Sequence, residues 1–572
     1  MYISEISTIK NYRNLTGLSV LLDPNINFLI GENNLGKTNI LELLHCFFSV
    51  GKFQEGDFLC KVEPIEISIV VKYADAEIGF FEDNFDVDDC RAITITGIQA
   101  SVDERIEYYL GCKCNQKLNA SIVRKINTLY YYAQRMPSKE IDFRKSNGSG
   151  KVLNYLIQSS LSGLSIAEKD LFKTSEMTSV VGSINKNLTK INTITGDTIQ
   201  AYIDENPEQI LCRMLGLGDI NGRDLNELGE GIQYAFNIIL QIIENIYSVK
   251  SSRKPEKFEE RLIVADGKRF YPAILILDEP EVHQHPYRQR SLIKKLTDLV
   301  NNRNDEFVLL LKDLFDIDGL IGQIILATHS PNILLNDYSQ FIRVFQKASK
   351  LEIISGKNIT FDEDPKMYKH LLHNFIYLKE AMFSRYVIFV EGDTEMGAIP
   401  VFAERLKIDL DNNGVGIIKL DGADGVKRCM SLYQKFGIPS IAIIDRDKES
   451  TYSDVPNVYF TTEMDYEGDV YSKFQLFDYF KCCQELDTLN KFVRVLKEKG
   501  YIFDEPSFLV NPESLCVGIE DQKTIMEEQK EKQLKILKGS KNAQKGAILA
   551  GFVTEIPDIF TTALLKIVDD IC

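Results

Sequence analysis

Residues 26–38 read INFLIGENNLGKT, a short apolar run that ends at Gly31 and passes through a polar loop. TNILELLHCFF at 38–48 then has helical apolar spacing. Strand, glycine-bounded loop and helix is the order that decides the fold. Within it, GENNLGKT at 31–38 has the form G-x-x-x-x-G-K-[ST]. Gly31 and Gly36 let the backbone wrap so that N–H groups point inward at phosphate oxygens, and the helix start adds its positive end. Asn34 belongs to the same cradle. Lys37 supplies a point charge for β- and γ-phosphates, and Thr38 supplies a hydroxyl for Mg²⁺.

Further pieces of the same chemistry lie downstream. AILILDE at 273–279 ends a buried apolar strand in Asp278 and Glu279. Asp278 is placed to hold Mg²⁺ through water, and Glu279 to orient and deprotonate an attacking water. ATHSP at 327–331 sets His329 after another apolar strand, where it would sense a γ-phosphate. LGEGIQ at 228–233 opens a long helix with Gly229 and Gly231, which permit close approach to a phosphate of a second subunit. Gln54 is the candidate for a nucleotide-sensing glutamine. His283 and His285 in EPEVHQHP have no third ligand nearby, which argues against zinc.

The chain has 572 residues, 44% hydrophobic and 26% charged, with 16 prolines. That is globular composition of about three domains, and it excludes collagen-like and disordered classes. A net charge of -17 excludes a histone-like coat of nucleic acid but not a local basic groove. The 11 cysteines are scattered without a CxxC pair, as expected of reduced thiols in a cytoplasmic protein. No apolar run approaches a membrane span, and MYISEISTIKNYRNL at the start is an opening strand rather than a signal peptide.

Strands are expected over 65–73, 93–99, 126–134, 272–278 and 322–328, with a helix over 230–248. Residues 148–205 are rich in Ser, Thr, Asn and Lys and have helical apolar spacing, which predicts a helical insert. It divides a first domain into parts 1–147 and 206–380. Strands alternating with helices from 385 predict a small parallel sheet, and the chain beyond 475 reads as helical, so a second domain covers 381–572.

In this second domain VIFVEGDTE at 387–395 puts Glu391 at a strand end and Glu395 one helical turn on. IAIIDRD at 441–447 puts Asp445 and Asp447 at another strand end, where alternation would point both one way. Asp421 and Gly422 in KLDG end the strand between. EMDYEGD at 463–469 offers Glu463, Asp465, Glu467 and Asp469, with Glu467 the first choice for a further metal position and Asp465 the next. Acids gathered at the carboxyl edge of an open sheet repel one another unless a hard cation such as Mg²⁺, Mn²⁺ or Ca²⁺ joins them. KEKQLKILKGSKNAQK at 530–545 has six lysines against one glutamate. It is either a solvated helix face or a phosphate-tracking surface, with Lys545 or Lys541 neutralising a scissile phosphate.

The first constellation resembles an ABC-type ATPase of the DNA-repair and chromosome-maintenance kind. In the signature-like LGEGIQ the usual serine is replaced, by Leu228 or Glu230. The second resembles the Toprim fold over about 385–470. Together they resemble the overcoming-lysogeny-defect (OLD) family of nucleases, including the branch of Gabija and retron-associated nucleases. The resemblance implies an α/β fold with a helical dimerisation insert, a Toprim sheet and a helical C-terminal region. It assigns ATP to Gly31, Gly36, Lys37, Thr38, Asp278, Glu279 and His329. It assigns metal and cleavage to Glu391, Glu395, Asp445, Asp447 and Glu467, with Lys545 matching the late lysine. It implies DNA as substrate, a homodimer or tetramer, no membrane, and in some members a helicase-like partner or a retron reverse transcriptase with its DNA. An ATP-regulated DNA endonuclease or nickase in anti-phage defence is the leading reading. The rivals are an RNA (tRNA)-cleaving effector, a DNA-binding ATPase clamp without nuclease activity, and a topoisomerase.

Overall fold

In the computed structural model, the apolar run Ile26–Gly31 is a fully buried strand at the heart of a seven-stranded sheet. The structure describes residues 1–82, 84–112, 116–132, 140–141, 148–162, 174–203, 215–251, 256–360, 375–420, 422–498, 522–539 and 541–571. The chain divides into two units, Met1–Thr360 and Phe361–Cys572.

In the first unit five parallel strands run in the order Asn127–Tyr131, Lys268–Asp278, Gly319–Ala327, Ile26–Gly31 and Phe341–Lys347. Because all five point one way, Gly31, Asp278 and Ala327 end at one edge. Ile263–Ala265 and Lys350–Ser355 extend the sheet by antiparallel pairing. A second, antiparallel sheet of six strands follows the order Val20–Leu21, Tyr2–Lys10, Ile65–Lys72, Ala92–Gln99, Glu107–Leu110 and Gln116–Leu118. One apolar core joins Ile67 and Ile69 of that sheet, Ile274, Ile276 and Ile325 of the parallel sheet, and Ile40, Leu41 and Leu44 of the helix Lys37–His45. Each of these helix side chains contributes about 1.5–3 kcal/mol by leaving water, which fixes the start of the helix against the sheet edge.

The insert over 148–205 is only partly helical. Helices Ser149–Ser162 and Thr174–Thr195 are followed by a strand, Ile199–Ile203, paired antiparallel with Leu215–Asp219. The alternation of IQAYI ends the helical pattern before 205.

The second unit has a four-stranded, wholly parallel sheet in the order Val415–Lys419, Tyr386–Val390, Ser440–Ile444 and Val458–Phe460. The helix Phe375–Ala381 packs on it, and Tyr433 Oη donates to the Leu378 carbonyl at 2.6 Å. The unit boundary therefore precedes residue 381. Beyond the sheet come the helices Tyr466–Ser472, Leu476–Glu485, Leu489–Glu498, Gln522–Leu537, Ala543–Phe552 and Asp558–Ile571. The helices Asp393–Arg405 and Ala543–Phe552 touch backbone to backbone: a Cβ on Gly397 would overlap the Ala543 carbonyl, and one on Gly546 the Thr394 carbonyl. Among the described residues no helix is long and apolar enough to cross a membrane. Cys46, Cys60, Cys90, Cys112, Cys429, Cys482 and Cys483 are free thiols.

Candidate functional site

At the edge of the first unit's sheet, Gly31 has φ +135°, and a Cβ there would strike the Val344 carbonyl of the neighbouring strand. Only glycine turns the chain here. Gly36, at φ +100°, N-caps the helix, and Asn34 lies exposed in the left-handed region at φ 62°. Lys37 Nζ donates to the Gly31 and Glu32 carbonyls at 2.9 and 2.6 Å, so the ammonium folds over the loop it serves. Burial pulls its pKa down to about 8 against the raising pull of Glu279, Asp278 and Glu32.

Thr38 Oγ1 lies 3.3 Å from both oxygens of Asp278. Burial, then the charge of Glu279, pushes the Asp278 carboxyl up to about 6. Glu279 has φ +47°, and its carboxylate lies 3.6 Å from His329 Nε2. A non-glycine residue held in this region is strained, a cost that recurs at active sites. The His329 pKa is lowered, by burial first and by Lys37 next, so the neutral imidazole is favoured. Loop, hydroxyl, two acids and histidine thus converge at one strand edge, an arrangement with the groups that could grip a magnesium-bound triphosphate and expose its terminal phosphate to attack.

A residue the motif reading missed organises this edge. Glu281 is buried, and its Oε1 accepts from Thr328 Oγ1 at 2.6 Å and from the His329 N–H at 2.8 Å. Ser330 Oγ donates to Gln289 Oε1 at 2.6 Å, and Gln289 Nε2 to the Gln284 carbonyl at 2.9 Å. The loops after the two strands are thereby tied together. The signal in the sequence was the third acid of DEPE. Gly229 N-caps the helix Glu230–Lys250, and a Cβ on Gly231 would crowd the His283 carbonyl. His283 pairs with Glu230 at 2.7 Å and His285 caps the helix Pro286–Val300, so each has a local structural role. Gln54 is exposed on a surface turn.

In the second unit, Glu391 follows Tyr386–Val390 and Asp445 follows Ser440–Ile444 on adjacent parallel strands. Glu391 Oε2 accepts from the Asp445 N–H at 3.3 Å, and Asp445 Oδ1 accepts from the Tyr466 N–H at 3.2 Å. Glu395 is 3% exposed in the first turn of Asp393–Arg405, its carboxyl raised by burial and by Glu467 and Glu391. Burial, then Glu395 and Glu391, pushes Asp445 up to about 8.

Asp447 departs from the expected alternation. The strand ends at Ile444, and the chain turns into a 3₁₀ segment, Arg446–Lys448. Asp447 is left half exposed, 3.5 Å from Lys448 Nζ. A two-residue period holds only while the strand lasts. Asp421 lies outside the described residues.

The four acids of 463–469 have separate tasks. Glu463 pairs with Lys530 at 2.7 Å. Asp465 caps the helix Tyr466–Ser472 and pairs with Lys538 at 2.5 Å. Asp469 accepts from the Thr462 and Glu463 N–H groups. Glu467 is 0% exposed, and neither of its oxygens accepts a hydrogen bond; Lys541 Nζ lies 3.4 Å from Oε2. Lys545 is buried, donating to the Leu537 carbonyl, while Lys541 is half exposed. The lysine run therefore turns inward to acids and carbonyls at 530, 538, 541 and 545. Among the described residues, no three acid, histidine or cysteine side chains are drawn together as a finished ligand set. Glu467 nevertheless fits a cation: it is a buried carboxylate without hydrogen bonds, it helps raise Glu395, and the monovalent ammonium of Lys541 at 3.4 Å does not by itself balance Glu391, Glu395, Asp445 and Glu467.

The AAA ATPase domain family model matches residues 1–151 and 102–334, and the model of the TOPRIM domain of overcoming lysogenization defect protein-like proteins matches residues 382–447. Among curated proteins, the DNA replication and repair protein RecF of Lactobacillus acidophilus is 49% identical over 45 residues, 8% of this chain. That stretch is only 12% of the relative's length. Among solved structures, an SMC head bound to the C-winged helix domain of ScpA aligns at TM-score 0.36 and 13% identity, covering 62% of this chain and 97% of that one. The C-terminal region of the Burkholderia pseudomallei OLD protein aligns at TM-score 0.22 and 19% identity, covering 33% and 100%. The assignment rests on the two family models, the first of which takes in residues 1–334 of 572. The chain belongs to the AAA ATPase domain family, with an ATP-binding ATPase domain followed by an OLD-like Toprim domain.

Proposed function

We propose that this chain is an ATP-regulated, divalent-metal-dependent endonuclease or nickase that acts on DNA in defence against phage. The observation that carries the nuclease reading is Glu467, fully buried, without a hydrogen bond, close enough to Glu395 to raise its carboxyl, and paired with Lys541, whose charge also acts on Asp445. Leaving a carboxylate so placed costs free energy that a divalent cation offsets. Glu391, Glu395, Asp445 and Glu467 would hold Mg²⁺ or Mn²⁺, whose oxygen preference matches this donor set. Bound there, such ions supply Lewis-acid activation of water and stabilisation of a departing oxygen. The chain's part is to hold the acids in place: the Asp445 N–H on Glu391, the Tyr466 N–H on Asp445, and burial around Glu395.

In the ATPase unit Glu281 and Glu279 hold His329 where loss of a terminal phosphate would be felt, which supports nucleotide control of access to DNA. Gly229, exposed at a helix start, suits contact with nucleotide on a second copy, whereas Gly231 is buried against the His283 carbonyl; the working form is a homodimer or a tetramer of such pairs. A helicase-like protein or a reverse transcriptase with its DNA is the kind of partner that would supply the trigger.

The test is incubation of the purified protein with supercoiled plasmid, linear DNA or total RNA, with Mg²⁺, with and without ATP. Nicked or linearised plasmid is expected from the wild type and not from Glu391→Ala or Asp445→Ala. RNA fragments with intact plasmid, or unchanged nicking by Asp445→Ala, would overturn the proposal.

A further inference from the structure

The acidic loop and the C-terminal lysine segment meet in three steps: Glu463 with Lys530 at 2.7 Å, Asp465 with Lys538 at 2.5 Å, and Glu467 with Lys541 at 3.4 Å. The first two pairs lie at the margin, and Asp465 is also engaged as a helix cap. The third is different. Lys541 is the cation nearest a carboxylate that makes no hydrogen bond, and its charge also acts on Asp445 and Glu395. Lys541 itself is half exposed on the turn between Gln522–Leu537 and Ala543–Phe552. That turn is held from behind by Lys545, whose Nζ reaches the Leu537 carbonyl, and by Asn542, whose side chain accepts from the Lys545 N–H at 2.8 Å.

We propose that Lys541 is a built-in stand-in for the divalent cation: its ammonium partly neutralises the Glu395–Asp445–Glu467 cluster until metal enters, and metal loads by displacing it. This inference rests on the metal-dependent reading of the Toprim site and deepens it by naming what regulates that site. A monovalent ammonium at salt-bridge distance competes poorly with a divalent ion bound directly through oxygen. Moving Lys541 off the buried Glu467 would be costly by itself, but the metal replaces the lost charge as the half-exposed lysine regains its hydration on a flexible stem. The displaced ammonium remains at the mouth of the cluster, the position from which it would meet an incoming phosphate. Lys545 is a positioning residue in this scheme, since it fixes the turn that carries Lys541.

The experiment is a Mn²⁺ titration of nucleotide-free, full-length protein followed by electron paramagnetic resonance. The quantity read is the component of binding that Glu391→Ala removes. Lys541→Met deletes the competing charge and keeps the length of the side chain. Lys532→Met, on the exposed face of Gln522–Leu537, makes the same change in net charge away from the acids. Lys541→Met is expected to bind Mn²⁺ about fivefold more tightly than wild type, and Lys532→Met to match wild type. Equal affinity in the two variants, or weaker binding in Lys541→Met, would overturn the stand-in role while leaving the metal site intact. Absence of any Glu391-dependent binding, in wild type and Lys541→Met alike, would overturn both. Circular dichroism of each variant confirms that the fold is retained.

Discussion

The two strand-end acid sites solve the same electrostatic problem by opposite routes. In the ATPase unit, Asp278 and Glu279 are neighbours in the chain, and the cation that steadies them, Lys37, belongs to the phosphate loop. In the Toprim unit the acids come from three separate stretches, around 391–395, 445 and 467, and the steadying cation, Lys541, comes from a helical region far beyond them. The first arrangement is ready for an anionic ligand, because its lysine stays when the ligand arrives. The second is ready for a cation, because its lysine is the part that can leave.

The largest effect that would break this comparison is functional. Asp445→Ala is expected to lower plasmid nicking by at least about a hundredfold while leaving ATP binding unchanged. Glu279→Gln should lower ATP hydrolysis by about 10²–10⁴-fold and leave Mn²⁺ binding at the acids unchanged. Steady-state rates and equilibrium binding on the two variants separate the sites; a variant that fails in both assays would mean that they are not distinct.

Next in size is a packing effect. Gly546→Ala pushes a methyl group into the Thr394 carbonyl, one residue from Glu395. It is expected to destabilise the second unit by about 1–3 kcal/mol or more, read by denaturant unfolding, and to weaken Mn²⁺ binding with it.

A pH series sharpens the contrast. Asp445 is raised to about 8, chiefly by burial and then by Glu395 and Glu391. A carboxyl whose folded pKa is raised contributes stability that is complete below its ordinary pKa, 3.8, and is lost as pH rises through about 8. The metal-free protein should therefore lose stability across that interval. Mn²⁺ affinity should climb over the same range and level off above it, because the metal must displace the proton. Affinity independent of pH would show that Asp445 is already ionised.

The smallest effect is at the turn. Asn542→Ala removes the cap of Ala543–Phe552 and is expected to cost about 1 kcal/mol, with a modest change in Mn²⁺ affinity as Lys541 loses its fixed turn.

What could be read from the sequence follows from how each site is written in it. The phosphate loop, the apolar strand ending in Asp278 and Glu279, and the strands ending at Glu391 and Asp445 are contiguous patterns with a fixed period, and the fold places them as that period requires. Asp447 failed the pattern because a period argument stops where the strand stops, at Ile444. Glu281 was passed over because its partners, Thr328 and the His329 N–H, lie on a different strand end. The inward turn of the lysine run was likewise hidden: a charge run reads as a solvated face, and only the backbone contact of Gly397 with Ala543 and of Gly546 with Thr394 brings it to the acids. The ribbon of Ile199–Ile203 with Leu215–Asp219 was missed because its second strand, LGLGD, has little apolar signal.

The most direct test is anomalous diffraction from crystals of the full chain soaked in Mn²⁺. Manganese is predicted among the carboxylates of Glu391, Glu395, Asp445 and Glu467, with Lys541 turned away from Glu467. Acids left without manganese, with Lys541 still on Glu467 under saturating Mn²⁺, would contradict the account.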